Sequence, residues 1–433
     1  MNPIVRVAYA AAGSLAEAAA AVASPGGGKV RRSFESRRGV VQRFSEWGRR
    51  FRDPARPLLW FHAPSVGEGL QARPVLEALR ASHPQIQLAY TWFSPSAEAF
   101  AESLDADFHD VLPFDTTRAA RAVLDALRPS ALVFSKLDVW PTLVEEARQR
   151  DISIALLSAT LAPGSSRTHW VAKLLLHDAY AALDAVGAIS GDDATRLIAL
   201  GCRRDAVRVT GDTRFDQVIA RAGRADRAGH LLAPLRSGRP TLVAGSSWPA
   251  DERELLPAIA GLHRSTPGLR AIVAPHEPTA NHLAPIRRWA ASEGLRSATL
   301  GMAEAASADV VLVDRLGVLG ELYALADIAF VGGGFHAAGL HSVLEPAAYG
   351  VPVIFGPQHQ GSRDAGLLLA AGAARSANDQ RAIADAVRRW IEEPGARQAA
   401  GEAARRVVEE NAGATARSVR LVEELLSRGA AAR

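Results

Sequence analysis

At 433 residues the chain exceeds what one hydrophobic core ordinarily organises, and its 48% apolar and 22% charged residues exclude a disordered polymer. Cys202 is the single cysteine, which excludes an intramolecular disulfide framework and a cysteine-based zinc site and fits a reducing compartment. The net charge of +4 is concentrated: residues 29–56 carry ten Lys/Arg against three acids, so the remaining body is mildly acidic and no nucleic-acid partner is expected.

Residues 4–23 are a nearly continuous apolar run, mostly Ala, interrupted by Arg6, Ser14 and Glu17. Such a run is marginal as a spanning helix, which takes about 20 strongly apolar residues. The "AVA" segment resembles a leader cleavage site, but the basic cluster follows the apolar run instead of preceding it. The expectation is an interfacial or weakly inserted helix, followed by a polybasic patch on the anionic cytoplasmic leaflet. The plainer alternative is a frayed Ala-rich helix with a solvated basic face. Residues 1–56 are accordingly set apart as an N-terminal anchor and basic segment.

From residue 57 short apolar runs alternate with amphipathic stretches. Runs at 58–63, 86–92, 111–114, 131–135, 152–157 and 185–190 read as buried strands, with helical patterns such as 70–81 and 117–128 between them. This alternation predicts a parallel sheet with helices on both faces over 57–215. A polar Arg/Ala/Gly stretch at 216–239 is expected to link it to a second α/β domain at 240–433. Strands there are expected at 241–244, 271–274, 310–313, 328–331 and 351–355, with closing helices at 380–393 and 397–428. The predicted fold class is α/β, two Rossmann-like domains facing across a cleft, with ligands at the carboxyl ends of the strands.

Four strand-end segments carry candidate chemistry. In the segment PSVGEG, Ser65 and Glu68 have the S-x-x-E spacing of a helix capping box. Gly67 and Gly69 flank the glutamate, where a ligand could approach the backbone, and a carboxylate beside a helix N-terminus is kept ionised and able to accept a proton. Base and cap both stand. The run from Phe330 through Gly332, Gly333 and Gly334, followed by Gly339, His341, Ser342 and Glu345, is a strand, a glycine-rich loop and a helix start. Its amides suit a phosphate, and His341 and Glu345 at i,i+4 would share one helix face, with Glu345 on a ribose diol. A generic Rossmann turn would also explain the glycines, and the G-x-G-x-x-G dinucleotide fingerprint is not present. Ser246 and Ser247 before Trp248, Asp251 and Glu252 read equally as a phosphate loop or as a cap with first-turn acids. Lys136 and Asp138, either side of Leu137, would line the cleft or pair with each other.

Taken in order, "WFHAPSVGE", "TWFSPSA", "LPFD", "DVWPTL", "VTGDTRFD", "VAGSSWPADE", "APHEP", "LYALADIAFVGGGF" and "GLHSVLEPAAYGVPVIFGP" resemble the Kdo (3-deoxy-D-manno-octulosonic acid) transferases of lipopolysaccharide biosynthesis over nearly the whole chain. The S-V-G-E and G-x-H-x-x-x-E-P segments carry the most specificity. The resemblance implies a GT-B type, inverting, metal-independent glycosyltransferase that needs no cofactor. CMP-Kdo would be the donor and a lipid A-type precursor the acceptor, at the cytoplasmic face of the inner membrane. By position it implies Glu68 as catalytic base and Ser246, Ser247, His276, Gly333, Gly339, His341, Ser342 and Glu345 on the donor side, with Ser65, Gly67, Lys136 and Asp138 on the acceptor side. The chain departs from the family pattern at Lys136, where the family carries an acid. It departs again at His276-Glu277, which lacks the family's arginine, at Leu340 and Ser342 around His341, and at Asp212 in place of Asn. These changes leave two alternatives: a related transferase with another donor or acceptor, and a catalytically silent lipid-binding protein of the same fold.

Overall fold

The computed structural model describes Tyr9, Ala11, Gly13, Leu15, Ala16 and residues 28–431 except 267 and 338. The chain forms two compact units, Met1–Asp216 with Ala412–Arg433, and Gln217–Asn411. The apolar run at 4–23 lies mostly outside the described residues. Among the described residues no helix is long and apolar enough to cross a membrane.

The first unit is built on strands β1 (Leu58–His62), β2 (Gln87–Trp92), β3 (Phe108–Val111), β4 (Ala131–Ser135), β5 (Ser153–Ala159), β6 (Ala185–Ala188) and β7 (Val207–Val209), in the order β3-β2-β1-β4-β5-β6-β7. The paired strands are parallel. β1, β2 and β4 are buried along their whole length, as helices on both faces require. The core combines Leu, Val and Ala with fully buried Trp60, Tyr90 and Phe134.

The second unit repeats the plan with β8 (Thr241–Ser247), β9 (Arg270–Pro275), β10 (Ser297–Thr299), β11 (Val310–Leu312), β12 (Ile328–Val331), β13 (Val353–Phe355) and β14 (Ala374–Ser376), ordered β10-β11-β9-β8-β12-β13-β14. In each sheet the connections reverse direction once, between β1 and β4 in the first and between β8 and β12 in the second. Loops leaving two such adjacent strands diverge and open a crevice, the preferred ligand position in doubly wound folds.

Three expectations change. Residues 29–56 are not a detached basic segment: helix Lys29–Ser36 and helix Val40–Arg50 belong to the first unit. Phe44 is fully buried, 4.7 Å from the Phe108 ring, and Arg43 pairs with Asp110 at 2.6 Å. The expected linker is largely structured, because helix Thr213–Arg224 runs through its start. The expected closing helix at 397–428 is two helices, Pro394–Glu410 and Ala414–Ala431, parted at Gly413 with φ +84°. The last helix returns to the first unit, where Leu421, Val422 and Leu425 are buried in that core and Asp216 accepts from the amides of Gly413 (2.5 Å) and Thr415 (2.6 Å). Residues 412–433 therefore do not belong to the second domain.

Candidate functional site

In the first unit, β1 ends at His62 and the chain turns through Pro64 into helix Val66–Ser82, with Ser65 at its N-cap. The Ser65 side chain makes no cap hydrogen bond; its hydroxyl donates to the Glu68 carboxylate instead. Nζ of Lys136, from the end of neighbouring β4, donates to Oε1 of Glu68 at 3.1 Å, and the Ser135 hydroxyl donates to the Glu68 carbonyl at 3.1 Å. Burial pushes the Glu68 carboxyl up, but the Ser65 hydroxyl and the Lys136 ammonium outweigh it and hold the group below its ordinary range. The side chain keeps 17% exposure, so it is an ionised and reachable carboxylate. Lys136 holds a left-handed backbone (φ 68°), costly for a non-glycine residue, fixed by its amide donating to the Leu157 carbonyl at 2.8 Å.

The two glycines beside Glu68 have different causes. A Cβ on Gly69 would stand 2.4 Å from Phe100 and 2.6 Å from the Tyr90 hydroxyl, so Gly69 is required by packing. At Gly67 the nearest atom is the Ser65 hydroxyl at 3.8 Å, so this position leaves the helix start open.

Lys136 and Asp138 do not pair with each other. Asp138 lies 3.6 Å from Nε2 of His62 and 3.5 Å from Arg167; burial pushes its carboxyl up, and those two groups bring it below the ordinary range. His62 is fully buried, with Nδ1 3.0 Å from the Thr91 hydroxyl and Nε2 accepting from Trp140 Nε1 at 3.1 Å. Buried Asp212 is paired with Arg214 at 2.6 Å.

In the second unit the organising group is Asp251. Fully buried in the first turn of helix Pro249–Ser265, it accepts from the amides of Trp248 (2.8 Å), Gly333 (2.8 Å) and Phe335 (3.0 Å). It thereby ties the loop after β8 to the glycine-rich loop after β12. A Cβ on Gly332 would meet the Ser246 carbonyl at 2.3 Å, and one on Gly333 (φ +91°) the Gly339 carbonyl at 2.2 Å. Trp248 stacks between His336 (4.3 Å) and His276 (4.5 Å), and His276 stacks on His341 at 4.6 Å. Trp248 Nε1 donates to Nε2 of His341 at 2.9 Å. Burial, with His276 and His336 nearby, pushes the His341 pKa down, so this ring is neutral at pH 7.

Two donor-side expectations are corrected here. The hydroxyl of Ser247 is fully buried and donates to Glu252 (2.8 Å), which His282 also contacts at 2.9 Å; its side chain is structural, while half-buried Ser246 beside it takes a left-handed conformation (φ 54°). His341 and Glu345 do not share a helix face, because the helix spans only Leu344–Ala348 and His341 precedes it. His341 is anchored by its amide to the Gly332 carbonyl at 3.0 Å, whereas Glu345 pairs with Arg221 at 3.0 Å. Burial raises the Glu345 carboxyl and Arg221 offsets this in part. Ser342 is exposed and Gly339 (φ +89°) has open space where a Cβ would stand.

The structure thus brings Ser65, Glu68 and Lys136 together in one unit and Gly333, Gly339, His276 and His341 in the other. Sequence reasoning missed His62 and Arg221, and took Trp248 and Asp251 as ordinary features of a helix start.

A family model described as 3-deoxy-D-manno-octulosonic-acid transferase (kdotransferase) matches residues 34–217. The 3-deoxy-D-manno-octulosonic acid transferase of Bordetella pertussis is 33% identical over 395 residues, covering 89% of this chain and 91% of its own length. That of Chlamydophila psittaci (strain ATCC VR-125 / 6BC) is 30% identical over 325 residues, 73% of each chain. Among solved structures, UDP-GlcNAc 2-epimerase from Neisseria meningitidis bound to UDP-GlcNAc superposes with a TM-score of 0.61 at 15% identity, covering 86% of this chain and 100% of that one. At that identity the likeness speaks for the fold alone, two parallel-sheet α/β domains of GT-B type.

Proposed function

The chain belongs to the 3-deoxy-D-manno-octulosonic acid transferase family of glycosyltransferases of lipopolysaccharide biosynthesis, and from that premise we propose that it transfers Kdo from CMP-Kdo to a lipid A-type precursor with inversion. In this reading Glu68 takes the proton of an acceptor hydroxyl. The hydroxyl oxygen forms its bond to the anomeric carbon as the bond from that carbon to the CMP phosphate breaks, and CMP leaves with the electron pair. The observation that carries the reading is the ionised, reachable Glu68 carboxylate at the sheet's reversal point. Donor binding is assigned to the loops that Asp251 ties together, with amides of the glycine-rich segment and Ser246 toward the phosphate and neutral His341 beside it. The reaction is placed at the cytoplasmic face of the inner membrane, held there by the N-terminal segment.

Lys136 favours a second reading, in which the acceptor differs from the family's. A cation where the family carries an acid supplies a contact for an anionic acceptor group near the base. The two readings separate in a transfer assay with radiolabelled CMP-Kdo and a tetra-acylated lipid A precursor, alongside thermal-shift titration with CMP-Kdo and UDP-sugars. Transfer and stabilisation by CMP-Kdo are expected; stabilisation by a UDP-sugar alone would overturn the Kdo assignment.

A further inference from the structure

Trp248 and His341 stand on loops of the second unit that are tied to each other by backbone bonds. Trp248 follows β8 as the N-cap of helix Pro249–Ser265, and its amide donates to Asp251 at 2.8 Å. Asp251 also accepts from the Gly333 amide (2.8 Å), and the His341 amide is fixed on the Gly332 carbonyl (3.0 Å). His276, whose amide donates to the Ser247 carbonyl at 2.9 Å, stacks on the His341 ring with centroids 4.6 Å apart. The Trp248 ring is itself held between His276 and His336. Both rings are therefore held in place for the bond from Trp248 Nε1 to His341 Nε2, 2.9 Å long.

This bond decides where a proton sits. An indole nitrogen only donates, so His341 Nε2 offers its lone pair and carries no hydrogen. A neutral imidazole has one N–H, and which nitrogen bears it is set by the bond that the other makes. The hydrogen of His341 is therefore on Nδ1, and an imidazolium would have to break the bond from Trp248. The surroundings act the same way: burial and then His276 lower the His341 pKa, with His336 adding to them and Asp251 opposing. Nδ1 has no hydrogen-bond partner among the described residues, and it is not one of the buried polar atoms sealed from solvent. The same ring borders the glycine-rich loop, its Cδ2 3.2 Å from where a Cβ on Gly333 would stand. His341 thus presents an open N–H donor at that loop.

We propose that Trp248 is a positioning residue for the donor: it locks His341 in the Nδ1–H form, so that this hydrogen meets an oxygen of the donor's phosphate. A phosphate oxygen only accepts, and the other form of the ring would turn a lone pair toward it. The contact with phosphate rests on the proposed transferase reading; the locked form of His341 does not.

The test is made on the full chain. In isotope-labelled protein, long-range proton–nitrogen correlation spectra distinguish a protonated from a bare ring nitrogen, and the His341 signals are those lost in His341→Ala. Native protein without ligand is expected to show Nδ1 protonated and Nε2 bare. Trp248→Phe keeps a ring in the stack but has no N–H to give, and its spectra also report its fold. Both forms of His341 should then be populated. CMP affinity, measured by calorimetry, should weaken about two- to fivefold in Trp248→Phe, as the competent form falls to roughly a fifth to a half of the molecules. His341→Ala should weaken CMP about tenfold or more, and adding Trp248→Phe to it should weaken CMP no further. A Trp248 that only supports the loop would weaken CMP by the same factor in both backgrounds, which overturns the proposal. A native His341 protonated on Nε2, or unchanged CMP affinity in Trp248→Phe, overturns it too. A native protein that shows the locked form and does not bind CMP overturns the transferase reading, and the phosphate contact with it, while the lock by Trp248 stands.

Discussion

The ammonium of Lys136 stands 3.1 Å from the carboxylate of Glu68, linking the loops that leave β1 and β4 where the connections of the sheet reverse. An acid at this position, as the resemblance to the family implies, would repel a carboxylate base and raise its pKa. Lys136 does the opposite, keeping Glu68 ionised at the expense of basicity. Its side chain is 42% exposed, so the attraction is screened and the pair is open to exchange with a substrate.

Replacing Lys136 with Met should therefore move the acid limb of the pH dependence of kcat/KM. The Glu68 carboxyl lies below its ordinary range partly because of Lys136, and in the proposed mechanism it accepts a proton only when ionised. Removing the ammonium raises the carboxyl pKa, so activity is lost at a higher pH on acidification; Lys136→Arg should retain the native limb. A pH–rate profile unchanged in Lys136→Met would show that the pair does not set the base.

The glycines either side of Glu68 should respond in opposite ways. Gly69→Ala drives a methyl into Phe100 and the Tyr90 hydroxyl and should cost about 1–3 kcal/mol in urea denaturation. Gly67→Ala meets only the Ser65 hydroxyl, at an ordinary contact distance of 3.8 Å, and should change stability by no more than about 0.5 kcal/mol. Any loss of turnover in Gly67→Ala at native stability then reports on acceptor approach. Equal destabilisation by both would contradict the packing described.

Asp251 should govern both the stability of the second unit and donor binding. Three amides donate to its buried carboxylate, and Asp251→Ala leaves them without an acceptor. The expected cost is about 2–4 kcal/mol, with weaker CMP-Kdo binding as the glycine-rich loop loosens. Native stability together with native donor affinity would remove Asp251 from this role.

Much of the fold was legible because parallel strands buried on both faces are continuous apolar runs. The runs around β1, β2, β4, β8 and β12 stand out for that reason. β7, β10 and β14 were missed because edge strands bury less: Arg208 and Val209 are exposed, as are Arg375 and Ser376, and Ser297 and Thr299 are only half-buried. The expected strand at 111–114 lay past the observed Phe108–Val111, since Phe114 packs against Phe34 outside the sheet. Glu68 and the glycine-rich loop were legible from local spacing. The ties of Asp251 to Gly333 and of Glu345 to Arg221 were not, because they join residues 82 and 124 positions apart. The return of Ala414–Ala431 to the first unit is hidden for the same reason: an amphipathic helix does not encode which sheet it covers.

The most direct measurement is Kdo transfer from CMP-Kdo to a lipid A precursor by Glu68→Gln, with CMP-Kdo affinity determined on the same protein. The amide keeps the shape and a hydrogen bond from Ser65 but cannot take a proton at neutral pH. Turnover should fall by about two to four orders of magnitude while donor affinity is unchanged. Turnover within a few fold of the native enzyme would contradict the assignment of Glu68 as the base.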